Sequence, residues 1–294
     1  MFKAISGDNS FIEKIENTYF NGKVHSTFER TINITDSETD EMYTLATREV
    51  DNAPNTIITD IPGFSRFGLK PGDEVITEGS IMTVAQRLSV DIENVEKWSC
   101  ILPEFPNDFN HVSKNLSVLR EHLRILGKTG GMLIDPDEGG FFEKELSRLL
   151  ETRSETLVKN LLDGKIEEAF ESAEGLIGLG RGLTPSGDDF LSGVIATFNI
   201  PGCPAGDFYE FGRRVVHSAL DKTNPISWWA LEKSSYGQVR ESIAFLIQAI
   251  LYGDEETLPR YLEKVLSIGS TSGTDIGFGL LAGIEINLVA GEKK

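Results

Sequence analysis

The chain has only two cysteines, Cys100 and Cys203, in 294 residues. So few, so far apart, make neither a disulfide framework nor a zinc knuckle. Both read as ordinary semi-buried thiols, and the expected setting is a reducing cytoplasm. Positive charge is also scarce. Lys and Arg number 28 against 46 Asp and Glu, a formal net charge of -18. A surface that acidic repels phosphate backbones and anionic lipid, so neither nucleic acid nor a membrane is an expected partner. It does not exclude a small anion, because a local site can be positive within a negative field.

Long apolar runs are missing too. The nearest approach, Ile276 to Ala290, is interrupted by Glu285 and Asn287 and reads as a buried helix. The opening MFKAISGDNSF has no apolar core of the signal-peptide kind. The named phosphate motifs are absent. Gly178-Leu-Gly-Arg-Gly182 is no dinucleotide fingerprint, and no Gly-x4-Gly-Lys-Ser/Thr occurs. Both motifs need a preceding strand, whereas Ile166 to Ala173 has helical spacing. No spacing argues for a Ser-His-Asp or Cys-His arrangement.

What the chain does have changes character near residue 102. The first hundred residues read as short strands with turns between them. Gly22 to Ile34 alternates apolar and polar, Met42–Arg48 looks like a return strand, and Thr56–Thr59 is β-branched. Turns at Leu69–Asp73 and Glu78–Ser80 frame Glu74–Thr77 and Ile81–Ala85, with Trp98–Ile101 as the last strand. This predicts a small β-barrel or sandwich over 1–102. Pro103 and Pro106 mark a linker over 103–115. A mostly helical domain is expected over 116–294, so the class is α+β. Its expected helices are 116–126, 141–150, 155–162, 166–173, 188–198, 208–220, 238–251, 258–266 and about 274–288. Met132–Ile134 is the one strand signal there. Thr223–Ser227 reads as a capping loop or as a third wall of a site.

The richest feature is GLIGLGRGLTPSGDDFLSG, Gly175 to Gly193. Glycines this dense cost roughly 0.5–1 kcal/mol each in a regular element, so the run is expected to be a loop that is there for its shape or for a ligand. It has a partner in Gly269-Ser-Thr-Ser-Gly-Thr-Asp275. Ser186-Gly-Asp-Asp189 and Ser272-Gly-Thr-Asp275 share Ser-Gly-x-Asp, each followed by a helix rich in small residues. Such helices are expected to pack closely, with their N-terminal loops side by side. Helix N-termini carry unpaired N–H groups and roughly half a positive charge, which suits an anion.

The expected anion ligands are Gly180, Gly182, Thr184, Ser186 and Gly187 in the first loop. Ser270, Thr271, Ser272 and Gly273 are expected in the second. Arg181 adds a guanidinium able to bind bidentately. Asp188, Asp189 and Asp275 admit three readings: carboxylates placed against the helix dipole, ligands to Mg²⁺, or groups orienting Arg181 or a substrate amide. With Arg181, these three are the catalytic candidates.

GLGRGLTPSGDDFLSG and GSTSGTDIGFGLLAG, with GKVHSTFERTINI and DNAPNTII upstream, resemble the AllH-type subunit family of oxamate carbamoyltransferase. The likeness runs from about Gly22 to Leu288. It implies a subunit working with other subunits of a carbamoyltransferase complex in anaerobic allantoin breakdown. There oxalurate and phosphate give oxamate and carbamoyl phosphate. The resemblance supplies no residue roles. Two other readings stay open: a scaffold subunit whose glycines only pack helices, and a Mg²⁺-dependent enzyme acting on a phosphorylated small molecule.

Overall fold

A computed structural model describes residues 1–134 and 140–293. The chain forms two compact units, Met1–Cys100 and Ile101–Lys294.

The first unit contains β1 (Phe2–Asp8), α1 (Asn9–Asn17), β2 (Asn21–Thr27), β3 (Thr31–Asp36), β4 (Met42–Thr47) and β5 (Thr56–Thr59). It continues with β6 (Glu74–Glu78), β7 (Ile81–Val84), β8 (Leu88–Asp91) and β9 (Glu96–Trp98). Strand β1 decides between barrel and sandwich. Its Ala4–Gly7 pairs antiparallel with β5, while Phe2 and Lys3 pair with β8 and Ser6–Asp8 with β9, both parallel. The order β5-β4-β3-β2-β6-β7-β8-β1 therefore closes on itself as a barrel, with β9 added beside β1. Closure removes free edges, which short strands otherwise leave exposed.

The stretch Gly22–Ile34 is not one strand but a hairpin, turning at Phe28–Arg30. Its alternation survives because Val24 sits opposite Ile34, and both are buried. The last strand ends at Trp98, where the sequence reading began it. Helix α1 was not expected, although Phe11, Ile12 and Ile15 have helical spacing and are buried. Phe11 stacks 4.3 Å from Tyr43 and 5.5 Å from Phe20, ring centre to ring centre.

The second unit is helical: α2 (Phe109–Leu126), α3 (Phe141–Leu162), α4 (Ile166–Glu174), α5 (Ser186–Thr197) and α6 (Tyr209–Ala219). Then come α7 (Pro225–Ser234), α8 (Glu241–Tyr252), α9 (Thr257–Leu266) and α10 (Ser272–Glu292). Helix α2 starts inside the stretch read as a linker. Helix α3 is continuous where two helices were expected, because Glu151–Ser154 is polar but holds no Gly or Pro to break it. Met132–Ile134 is not a strand.

Every residue of α5 is buried, the mark of a helix surrounded by others. Helix α10 is long and apolar enough to cross a membrane, with a mean hydropathy of 1.3, yet most of it is buried within the unit. Two polar residues in its second half are paired. Asn287 accepts from Ala205 N–H at 2.8 Å and donates to Gly283 C=O at 3.0 Å. Glu285 takes both its bonds from Arg120, each 3.0 Å.

Helices α5 and α10 pack backbone to backbone. A Cβ on Gly193 would fall closer than 3.0 Å to Ile276 C=O, and one on Gly279 would meet Phe190 C=O. In the Ser-Gly-x-Asp alignment Gly193 corresponds to Gly279, and Phe190 to Ile276. The contact is therefore reciprocal, and the pair has an approximate two-fold relation.

Candidate functional site

The helix pair brings the two glycine-rich starts together. Pro185 and Thr271 are the N-caps, and Ser186 and Ser272 are the first helical residues. Pro185 C=O accepts from Asp188 and Asp189 N–H, and Thr271 C=O accepts from Thr274 and Asp275 N–H, all within 3.0 Å. Gly187 N–H donates to Leu179 C=O at 2.8 Å, and Gly273 N–H to Ile268 C=O at 3.1 Å. Each of these two glycines also sits against a carbonyl of an earlier segment, Leu176 just after α4 for Gly187 and Val265 in α9 for Gly273, where a Cβ would clash. The helix-start N–H groups from Gly187 and Gly273 onward are thus already paired inside the protein.

The unpaired donors lie one step earlier. Among the described residues, the N–H groups of Gly180 to Thr184 and of Ser186 have no hydrogen-bond partner. Gly178 and Gly180, at φ +71° and +140°, give this segment its shape. Side chains there would also clash, with Lys222 C=O and with Ser186 N–H respectively. A run of free N–H groups following left-handed turns is the kind of concavity that binds anions.

The side chains cross between the two starts. The Ser272 and Thr184 hydroxyls face the Asp189 carboxyl, and the Ser186 and Thr271 hydroxyls face that of Asp275, where each favours the charged form. Thr184 Oγ1 and Ser272 Oγ are 2.9 Å apart. Each aspartate thereby reaches the serine of the other copy. Both carboxyls are deeply buried, Asp189 at 5% exposure and Asp275 at 0%. One oxygen of each, Oδ2, has no partner. Buried oxygens without partners are rare in folded proteins and mark a place where a proton or ligand belongs.

Burial, then the charge of Asp275, pushes the Asp189 carboxyl well above its ordinary range. Burial pushes Asp275 up to about 6. Both shifts favour the protonated form, and burial acts on both carboxyls.

Asp188 has a different place. It accepts from Gly178 N–H at 2.8 Å, from Ser227 Oγ at 2.7 Å and from Thr223 Oγ1. Burial raises its pKa, and these donors oppose the rise. Asn224 caps α7 by accepting from Ser227 N–H at 3.2 Å and also donates to Leu183 C=O at 2.7 Å. Thr223–Ser227 is thus both a cap and a wall of the site.

Arg181 is exposed on the loop, and its guanidinium pairs with Glu143 rather than with an aspartate of the site. Glu143 also accepts from Gly140 N–H at 2.9 Å, which with Arg181 holds its carboxyl below the usual range. Gly182 lies exposed beside Arg181, and Ser270 is exposed in the second loop. Among the described residues no cluster of three His, Cys, Asp or Glu could hold a metal ion.

The sequence reading missed a third segment, Gly127–Leu133. Lys128 N–H donates to Thr274 Oγ1 at 2.8 Å, and its ammonium to Gly269 C=O at 3.0 Å. Met132 N–H donates to Asp275 Oδ1 at 2.7 Å. A Cβ on Gly131 would strike the Asp275 carboxyl, so only glycine lets the strap lie this close. Gly130-Gly131 directly after a helix end was the available signal.

Residues 176–284 match the family model described as oxamate carbamoyltransferase subunit AllH, a span that holds both glycine-rich starts. Residues 3–97, the barrel, match the AllH family N-terminal domain. No solved structure matches the chain.

Proposed function

The chain belongs to the AllH family of oxamate carbamoyltransferase subunits, and from that premise we propose that its twin helix starts hold the reacting groups of carbamoyl transfer. One observation carries the reading. Two buried carboxyls, each with an oxygen lacking a partner, stand at the helix starts that also hold Gly180–Thr184 and Ser186, whose N–H groups have no partner among the described residues. In this reading the free N–H groups and Arg181 hold phosphate or carbamoyl phosphate.

A phosphate oxygen attacks the terminal carbonyl carbon of oxalurate. The Thr184 and Ser272 hydroxyls steady the oxyanion. The C–N bond then breaks, and the leaving amide nitrogen of oxamate takes a proton from the Asp189 carboxyl. In reverse the Asp189 carboxylate accepts that proton as oxamate attacks carbamoyl phosphate. The setting is cytoplasmic allantoin breakdown, with other subunits completing the assembly.

A scaffold role is favoured by a different observation. The helix-start N–H groups are internally paired, and Arg181 is already engaged by Glu143. Arg181→Ala separates the two. It is expected to cut phosphate-dependent oxalurate cleavage by the reconstituted complex at least tenfold, with assembly by size-exclusion chromatography unchanged. Full turnover in that variant would leave the scaffold role in possession.

A further inference from the structure

The anion loop supplies no counter-charge for the carboxylate of the organic substrate, and the helical unit has a cavity that does. It measures about 250 Å³ and lies among α2, α3, α5 and α10. A cavity this size is below the several hundred Å³ usual for drug-sized ligands and suits a small metabolite.

Arg120 and Arg124, one helical turn apart on α2, form one side. Arg120 is neutralised by Glu285 through two bonds of 3.0 Å. Among the described residues no carboxylate pairs with Arg124. Glu151 and Glu155, a turn apart on α3, also line the cavity, as do the rings of Phe190 and Phe278. One guanidinium without a carboxylate partner among the described residues, acceptor carboxylates and aromatic residues together suit a flat molecule with a carboxylate at one end and N–H donors at the other. One more lining residue ties the cavity to the acid pair: Met132 gives its N–H to Asp275.

We infer that this cavity is the subsite for the small amide-bearing carboxylate of the reaction, with Arg124 as the residue that selects the carboxylate. The inference rests on the transferase reading for its ligand, and its test is separate from that of the anion loop.

Isothermal titration calorimetry of the whole chain is run with oxamate and, independently, with inorganic phosphate. Oxamate is expected to bind, with acetate (no amide) and acetamide (no carboxylate) each at least tenfold weaker. Arg124→Ala is expected to weaken oxamate at least tenfold and leave phosphate unchanged. Glu285→Gln is expected to tighten oxamate severalfold by releasing the Arg120 guanidinium, an effect that a purely structural ion pair does not produce. Oxamate that fails to bind the wild-type chain, or binds Arg124→Ala equally well, overturns the subsite. That outcome leaves the loop to stand on phosphate and Arg181. Loss of phosphate binding alone sinks the loop and leaves the subsite intact.

Discussion

Replacing Gly279 by alanine is expected to destabilise the helical unit by about 3 kcal/mol, at the upper end of ordinary overpacking. The added methyl would enter Phe190 C=O and approach Gly193 Cα to 3.0 Å. Neither neighbour is the tip of a flexible side chain. Both belong to the backbone of α5, every residue of which is buried. Relief therefore requires the two helices to separate along their length, which opens contacts on both sides of each. For a unit of this size such a loss lowers the thermal midpoint by roughly 10 °C. Gly206→Ala is the control in the same unit. Its nearest neighbour is the Cys203 sulfur at 3.5 Å, an ordinary contact. Thermal unfolding followed by circular dichroism should show a large shift for the first and almost none for the second. Equal shifts would mean that the helices do not meet through these glycines.

The second large effect concerns pH. Asp275 is pushed up to about 6 from 3.8 by burial. Its carboxyl is thus more easily kept protonated in the folded chain than in the unfolded one. The sign follows from proton uptake: the folded state binds more protons, so stability falls as pH rises. The contribution is complete below the unfolded value near 4 and is lost as pH passes through about 6. A difference of about two units corresponds to about 3 kcal/mol. Asp275→Asn keeps a neutral group of the same shape and does not titrate. Urea midpoints at pH 4, 6 and 8 should therefore show the wild type losing stability relative to Asp275→Asn as pH rises. A constant difference between the two would show that burial leaves Asp275 an ordinary carboxylate.

Much of the helical unit was legible because local signals matched local structure. Small residues in α5 and α10 announced a close helix pair, and the repeated Ser-Gly-x-Asp announced two related starts. Helix α7 shows how a local signal is misread. Asn224-Pro225 is a cap followed by proline at the first helical position, a helix-start signature, yet the segment reads as a loop. What stayed hidden depends on residues distant in sequence. Nothing in Phe2–Asp8 alone reveals pairing with three other strands, so barrel and sandwich could not be told apart.

The crossing of Asp189 to Ser272 is likewise invisible until the helices are packed. Asp188 was weighed with its neighbour, but one step along a helix turns a side chain by about a quarter of a circle. That step sends Asp188 to Thr223 and Ser227 and Asp189 to the other start. The inward strap at Gly131 was obscured by the β-branched and apolar look of the residues after it.

The absence of side chains where α5 meets α10 has a mechanical consequence. With peptide groups in direct contact, the helix pair has no room for a side chain at Gly193 or Gly279. The spacing between the paired acids is thus settled when the chain folds.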